Sequence, residues 1–320
     1  MRARFALAAA ILLASACTDV DLGTTGQEVI GGSITPEGEF PGVGALMYDD
    51  FGQGAVAGCT GTLIAPDAVL TAAHCVDPDL IGDIVPGFTL AHDTTTGPPV
   101  IVAGREAIPH EMFDIGSNPG PGLAQFYDVA VLLLAAPITE VAPIKLPPRD
   151  EVGALVADLD LWIVGYGRTS NDTNTTGVKY DAATKLISLN ASELQVSRGQ
   201  GQPQNCHGDS GGPALADLGR GQRIVGVVSR SFDGGGECLN GGIDTRVDAY
   251  LDWIHGKVTT GIPCGSGLSP KCASDDGDDP DGDNAGCCST SSRGAPGSIV
   301  LALIVGALVL RRRSTARVRS

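Results

Sequence analysis

The chain has 320 residues, 42% of them hydrophobic and only 18% charged, with a formal net charge of −16. That is enough for one sizeable domain with tails on either side, and the acidity excludes a nucleic acid held through its phosphates. Forty-five glycines, β-branched runs and little helical periodicity predict an all-β fold.

Residues 1–17 read as a signal peptide: Arg2 and Arg4 open it, Phe5 to Leu13 are apolar, and Ala14-Ser15-Ala16 precede Cys17. Two processing routes stay open. One is cleavage by an ordinary signal peptidase after the small residues; the other is a bacterial lipobox, with Cys17 lipidated. Nine cysteines in an exported chain imply an oxidising compartment.

Further along come Val29-Ile30-Gly31-Gly32, then Thr71-Ala72-Ala73-His74-Cys75, then Tyr127-Asp128-Val129-Ala130-Val131-Leu132. Val129 to Leu134, Leu161 to Val164 and Ile224 to Val228 are short apolar runs bounded by Gly, Pro or polar residues, and predict strands. The polar stretch from Thr169 to Thr176 predicts a surface loop. Cys206 then leads into Gly208-Asp209-Ser210-Gly211-Gly212-Pro213, and Val247, Tyr250, Leu251, Ile254 and Val258 recur at helical spacing.

A serine hydroxyl is a weak nucleophile until a neighbouring base takes its proton and a third group orients that base. The chain offers those three groups in the order His74, Asp128, Ser210, each inside a distinctive string. His92, His110 and His255 have no motif around them and read as surface or loop residues. His207 precedes Gly208 and is expected at the substrate cleft.

These strings, from about Val29 to about Val258, resemble the trypsin/chymotrypsin-like serine peptidases. The resemblance implies two packed antiparallel six-stranded β-barrels with the site in the cleft between them, and a C-terminal helix that closes the second. It implies that Ser210 attacks a carbonyl carbon and that His74 carries the proton. Asp128 would orient His74, and the backbone N–H groups of Gly208 and Ser210 would receive the oxyanion. Residues 18–28 become a propeptide. Cutting before Val29 would free an α-amine that pairs with Asp209. Glu28 stands where many relatives carry Arg or Lys, so an unknown processing peptidase cutting after Glu28 is expected. The implied disulfides are Cys59–Cys75 and Cys206–Cys238, and Cys264–Cys272 would close a small loop beyond the domain.

The resemblance also places the specificity pocket. Gln204 stands where trypsin-like members carry Asp at the floor, and a neutral amide offers no charge to a basic side chain. Ser229 matches the serine that supports the aspartate, and Ser231 and Gly242 match small pocket walls. Asp244 stands near the floor, where it would add some preference for a basic group. The expectation is an open pocket with a polar or mixed preference for protein or peptide substrates. No cofactor or metal is expected. The alternative is a catalytically silent surface module that keeps the peptidase scaffold and binds without cutting.

Residues 259–298 read as a Cys/Asp/Gly-rich linker, with Asp275, Asp276, Asp278, Asp279, Asp281 and Asp283 crowded together. The string 279–284 partly resembles a calcium loop, but no glutamate follows at the ligand position. Cys287-Cys288, the apolar stretch Ile299 to Leu310 and Arg311-Arg312-Arg313 resemble bacterial sorting tails of the MYXO-CTERM type. The apolar stretch covers about 18 Å as a helix, short of a ~30 Å hydrocarbon core. It is therefore a membrane contact that sorting makes transient, with a plain weak anchor as the other reading.

Overall fold

The structure is a computed structural model that describes residues 29–49, 54–168, 176–234 and 238–258. The expected signal peptide, propeptide, acidic linker, apolar tail and Cys264–Cys272 pair lie outside the described residues, as does nearly all of the 169–176 loop. Among the described residues no helix is long and apolar enough to cross a membrane.

The chain enters with a two-residue strand, β1 (Ser33–Ile34), and then builds a first barrel. Its strands are β2 (Val43–Asp49), β3 (Ala55–Ala65), β4 (Ala68–Thr71), β5 (Gly87–Thr89), β6 (Gly104–Pro109) and β7 (Ala130–Leu134). All neighbours are antiparallel, in the order β5-β2-β3-β4-β7-β6. The two edges of this sheet meet at one bridge, Phe88 to Val102, so the barrel is only half closed. One short helix, α1 (Pro78–Ile81), lies between β4 and β5.

A second barrel follows, from β8 (Asp160–Gly165), β9 (Tyr180–Leu189), β10 (Glu193–Val196), β11 (Pro213–Asp217), β12 (Gln222–Ser231) and β13 (Gly242–Arg246). Its order is β9-β10-β13-β12-β11-β8, and β8 pairs back on β9 to close the ring; β1 adds to the outside of β9. The three predicted apolar runs fall in β7, β8 and β12. Burial patterns differ between strands for a physical reason. β7 is buried at every position, as a continuous apolar run requires. In β9, Ala183 and Lys185 are exposed while Thr184 and Leu186 are buried, the alternation of a strand with one wet face.

Leu161, Ile163, Leu186, Leu194, Val196 and Val225 fill the second barrel. The larger core fills the first barrel and runs on through Leu215, Ile224 and Val227, which face it from the second. The periodic C-terminal segment becomes a turn of 3-10 helix at Asp248–Tyr250 followed by α2 (Leu251–Lys257). Leu251 and Ile254 bury into this shared core, so the helix that leaves the second barrel packs on β7 of the first. Trp253 Nε1 donates to Glu111 Oε2 at 2.6 Å, and the His110 ring stacks against Trp253 and Tyr127 with centroids 4.9 and 5.1 Å away. The two barrels are thus joined through one hydrophobic seam.

Candidate active site

Strand register brings His74 and Asp128 together. β4 and β7 are neighbours, with Thr71 opposite Ala130. The chain leaving β4 turns through 3-10 helix at Ala73–Cys75, which carries His74, and the chain entering β7 carries Asp128. Tyr127 just before it has φ 59°, a left-handed conformation that costs an L-residue roughly 1–2 kcal/mol. Asp128 is fully buried. Its Oδ1 accepts from His74 N at 3.0 Å, and its Oδ2 faces His74 Nδ1 at 2.8 Å. Ser229 Oγ donates to the same Oδ2 at 2.6 Å, and Thr245 Oγ1 donates to the Asp128 carbonyl at 2.8 Å.

Burial by itself would push the Asp128 carboxyl up; the His74 charge and these hydrogen bonds outweigh it and hold the carboxyl below its ordinary value. Burial likewise disfavours a charged His74, but the Asp128 carboxylate wins and raises the imidazole. With Nδ1 committed to Asp128, the second ring nitrogen is the one left to act as a base.

Ser210 lies in the loop before β11, half exposed on the same cavity as His74. The carbonyls of this loop are all held. Cys206 O accepts from Asp209 N at 3.0 Å, His207 O from Arg168 N at 2.7 Å and Asp209 O from Gly212 N at 2.8 Å. Thr60 on β3 holds the other two: its N–H donates to Ser210 O at 2.8 Å, and its Oγ1 donates to Gly208 O at 2.9 Å. Among the described residues, no backbone hydrogen bond of the loops uses the N–H of Gly208 or Ser210. Gly211, at φ +80°, lets the loop press onto the first barrel: a Cβ there would lie 2.1 Å from Thr71 Oγ1 and 2.4 Å from Thr60 O.

Asp209 points the other way, into the second barrel, and is fully buried. Its Oδ1 accepts from Gly167 N at 2.9 Å and its Oδ2 from Cys206 N at 2.7 Å. A Cβ on Gly167 would come within 2.6 Å of Asp209 Oδ1, so only glycine admits the carboxyl here. Burial pushes this carboxyl up to about 7 against those two hydrogen bonds. Val29 is also buried, in the second barrel's core, and the backbone of Ile30 is bridged to Gln204.

The cavity has a volume of about 440 Å³, and His74, His207, Ser210, Ser229, Ser231 and Gly242 are among the residues that line it. Gln204 is not among them. Its Nε2 donates to Cys238 O and its Oε1 accepts from Gly241 N, both at 2.6 Å, so the amide clamps two backbone segments together. The neighbouring Asn205 lines the cavity instead, and its Nδ2 lies 3.4 Å from Asp244 Oδ1. Asp244 is fully buried, and burial pushes its carboxyl up to about 8, with the nearby Asp209 adding to the rise.

Two disulfides brace the site. Cys59–Cys75 ties β3 to the turn that carries His74, and Cys206–Cys238 ties the Ser210 loop to the far cavity wall. The Cys59 and Cys75 sulfurs lie beside His74 but are committed to each other. Three features carried no motif in the sequence. Thr60 is a buried hydroxyl between two apolar-run residues of β3. Asn205 was overshadowed by its neighbour Gln204. Arg230 lines the cavity with its charge met by Glu193, at 2.7 and 3.0 Å, a partner 37 positions away in sequence. An arginine next to Ser229 was the one signal available in the sequence.

Comparison with known proteins agrees with this geometry. The family model described as Trypsin matches residues 29–254. Chymotrypsin-like elastase family member 1 of Macaca fascicularis is 28% identical over 272 residues, covering 80% of this chain and 99% of the elastase. The Bos taurus protein of the same name is 30% identical over 75% of this chain and 93% of its own length. Melanization protease 1 of Drosophila melanogaster is 31% identical over 73% of this chain and 66% of its own. The chain belongs to the trypsin family, and by that membership it is a serine-type endopeptidase.

Proposed function

We propose that the protein is an exported serine endopeptidase, made as a zymogen, that hydrolyses peptide bonds through Ser210, His74 and Asp128. His74 takes the Ser210 proton as the hydroxyl attacks the carbonyl carbon. The N–H groups of Gly208 and Ser210 receive the oxyanion, and the imidazolium returns its proton to the leaving amine. Water then releases the acyl group by the same route. The observation that carries this reading is the 2.8 Å contact between His74 Nδ1 and the buried Asp128 carboxylate, on a cavity that Ser210 also lines.

Activation is a cut between Glu28 and Val29 by another peptidase. The freed amine meets Asp209, a buried carboxyl that has two N–H donors but no cation among the described residues. A buried carboxylate without a charged partner is costly, so the amine has a ready place. The signal segment 1–17, with or without lipid on Cys17, takes the chain out of the cytoplasm. The Cys287, 299–310 and Arg311–Arg313 tail then holds it at the membrane until sorting releases it to the surface.

The test is protein cut after Glu28, treated with a fluorophosphonate that reacts with activated serines and offered a peptide library. Labelling of Ser210 and peptide hydrolysis are expected. An inert Ser210 in chains that begin at Val29 would make the protein a binding module on a peptidase scaffold.

A further inference from the structure

We infer that Thr60 is a positioning residue that holds the oxyanion loop in its working arrangement before the chain is cut ahead of Val29. The inference rests on the peptidase reading above and deepens its regulation. Thr60 sits on β3 of the first barrel, fully buried. The loop it grips, Cys206 to Ser210, belongs to the second barrel. Of the five carbonyls in that loop, three are held by main-chain N–H groups of the second barrel's own segments. The remaining two, on Gly208 and Ser210, are held by Thr60. These flank Asp209, so Thr60 fixes the peptide between the two oxyanion donors and the peptide after the second donor.

The hydroxyl is the part a substitution can remove. Thr60 Oγ1 donates to Gly208 O at 2.9 Å and accepts from Tyr166 N at 3.0 Å, so both its proton and a lone pair are used. The residue is itself anchored, because Thr71 Oγ1 donates to Thr60 O at 2.9 Å. Gly208, at φ +98°, has no side chain to keep its peptide from turning over. The grip does not involve Val29 or the Asp209 carboxyl. It therefore calls on no amine at Asp209, whose carboxyl has two backbone donors of its own. Two supports act on one loop: the Val29 amine from inside the second barrel, and Thr60 from the first. With one of them permanent, the uncut chain keeps part of its catalytic power.

The experiment compares the full chain, uncut and cut after Glu28, as Thr60, Thr60→Val and Thr60→Ser. Fluorophosphonate labelling of Ser210 counts active sites, and kcat and KM are read on one peptide amide. The uncut parent is expected to label at about a hundredth to a tenth of the cut rate. Thr60→Val keeps the shape but loses the hydroxyl. Its kcat is expected to fall about tenfold in the cut form and about a hundredfold in the uncut form, with KM nearly constant, as for an interaction made mainly in the transition state. Thr60→Ser restores both. Equal losses in the two forms, or no rescue by serine, would overturn the positioning role. An uncut parent that never labels while the cut parent does would overturn the regulatory claim, even if Thr60→Val failed to fold. Failure of both parent forms to label would count against the peptidase reading instead.

Discussion

Ser229 Oγ, on β12 of the second barrel, donates at 2.6 Å to the Asp128 carboxylate that leads into β7 of the first. Thr245 on β13 donates to the carbonyl of the same residue. Asp128 is therefore held across the seam: the first barrel supplies it and His74, and the second supplies one donor to its carboxylate and one to its main-chain carbonyl. Neither barrel alone presents a complete set. The larger core runs through the same seam, and α2, at the end of the domain, packs back on β7.

The acid limb of activity follows from this carboxylate. His74 must be neutral to accept a proton, and Asp128 raises it above its ordinary 6.5. Activity is therefore expected to rise with pH through a midpoint above 6.5 in the free enzyme, read from kcat/KM. Asp128→Asn replaces the acceptor with an amide that favours the wrong tautomer, and kcat is expected to fall about 10⁴-fold. Ser229→Ala leaves a buried carboxylate oxygen one donor short and is expected to cost about 1–3 kcal/mol of stability by denaturant titration. An acid midpoint below 6.5 would contradict the pairing.

Much of this site was legible because motif and topology coincide. His74, Asp128 and Ser210 each sit at the end of a strand or in a turn whose flanking residues are constrained, so each string carries a signature. Pocket chemistry was less legible. Gln204 is expected at the pocket floor but does not line the cavity, and its amide is spent on Cys238 O and Gly241 N, main-chain groups more than thirty positions away. Thr60 was invisible for a related reason: its value lies in two carbonyls of a distant loop, and a threonine inside an apolar strand looks like β-propensity alone. Long-range polar pairing leaves no local pattern.

The disulfide at the histidine turn yields a stability prediction. Cys59 and Cys75 are separated by 16 positions, and closing a loop of that size in the unfolded chain is worth about 3 kcal/mol in the entropic account. The double replacement Cys59→Ala/Cys75→Ala is expected to lower stability by about 2–4 kcal/mol and to reduce kcat, because the turn carrying His74 loses its tether to β3. Thermal melts and fluorophosphonate labelling rates check both parts. A variant equally stable but inactive would assign the bridge to positioning alone.

On the proposed activation, an alkaline limb is expected from the Val29 amine. A free α-amine has a pKa of about 7.7–8.0, and pairing with a buried carboxylate raises it. A raised cation contributes its stabilisation below its unfolded value and loses it as pH climbs through the raised one. Activity of the cut protein is therefore expected to fade above about pH 8. The uncut protein, with no amine to lose, is expected to lack this limb. The comparison is a pH series of labelling rates on the two forms. Parallel profiles would remove Asp209 from the activation pair.

Asp244 makes the most specific pH prediction. Its carboxyl is raised from 3.8 to about 8 by burial, with Asp209 the charged neighbour that adds to the rise and Asn205 the hydrogen-bond partner that opposes it. The folded state therefore holds a proton that the unfolded chain releases near pH 4, and stability from this group is lost as pH climbs between those values. Asp244→Asn keeps the shape in a permanently neutral form, so its Tm is expected to drop less than the parent's between pH 5 and pH 8. The same carboxyl has a second consequence behind the cavity wall: Asn205 lines the cavity and contacts Asp244, and Asp244 Oδ2 and Asn205 Oδ1 are buried without a hydrogen-bond partner. Both are acceptors, and an aryl amidinium such as benzamidine brings donors and a fixed positive charge. Its binding favours the ionised carboxyl, so affinity is expected to tighten as pH rises toward about 8 and then level off. In Asp244→Asn the gain with pH should vanish. Calorimetric titration at three pH values decides the matter: a pH-independent affinity in the parent would mean that Asp244 stays protonated whatever occupies the pocket.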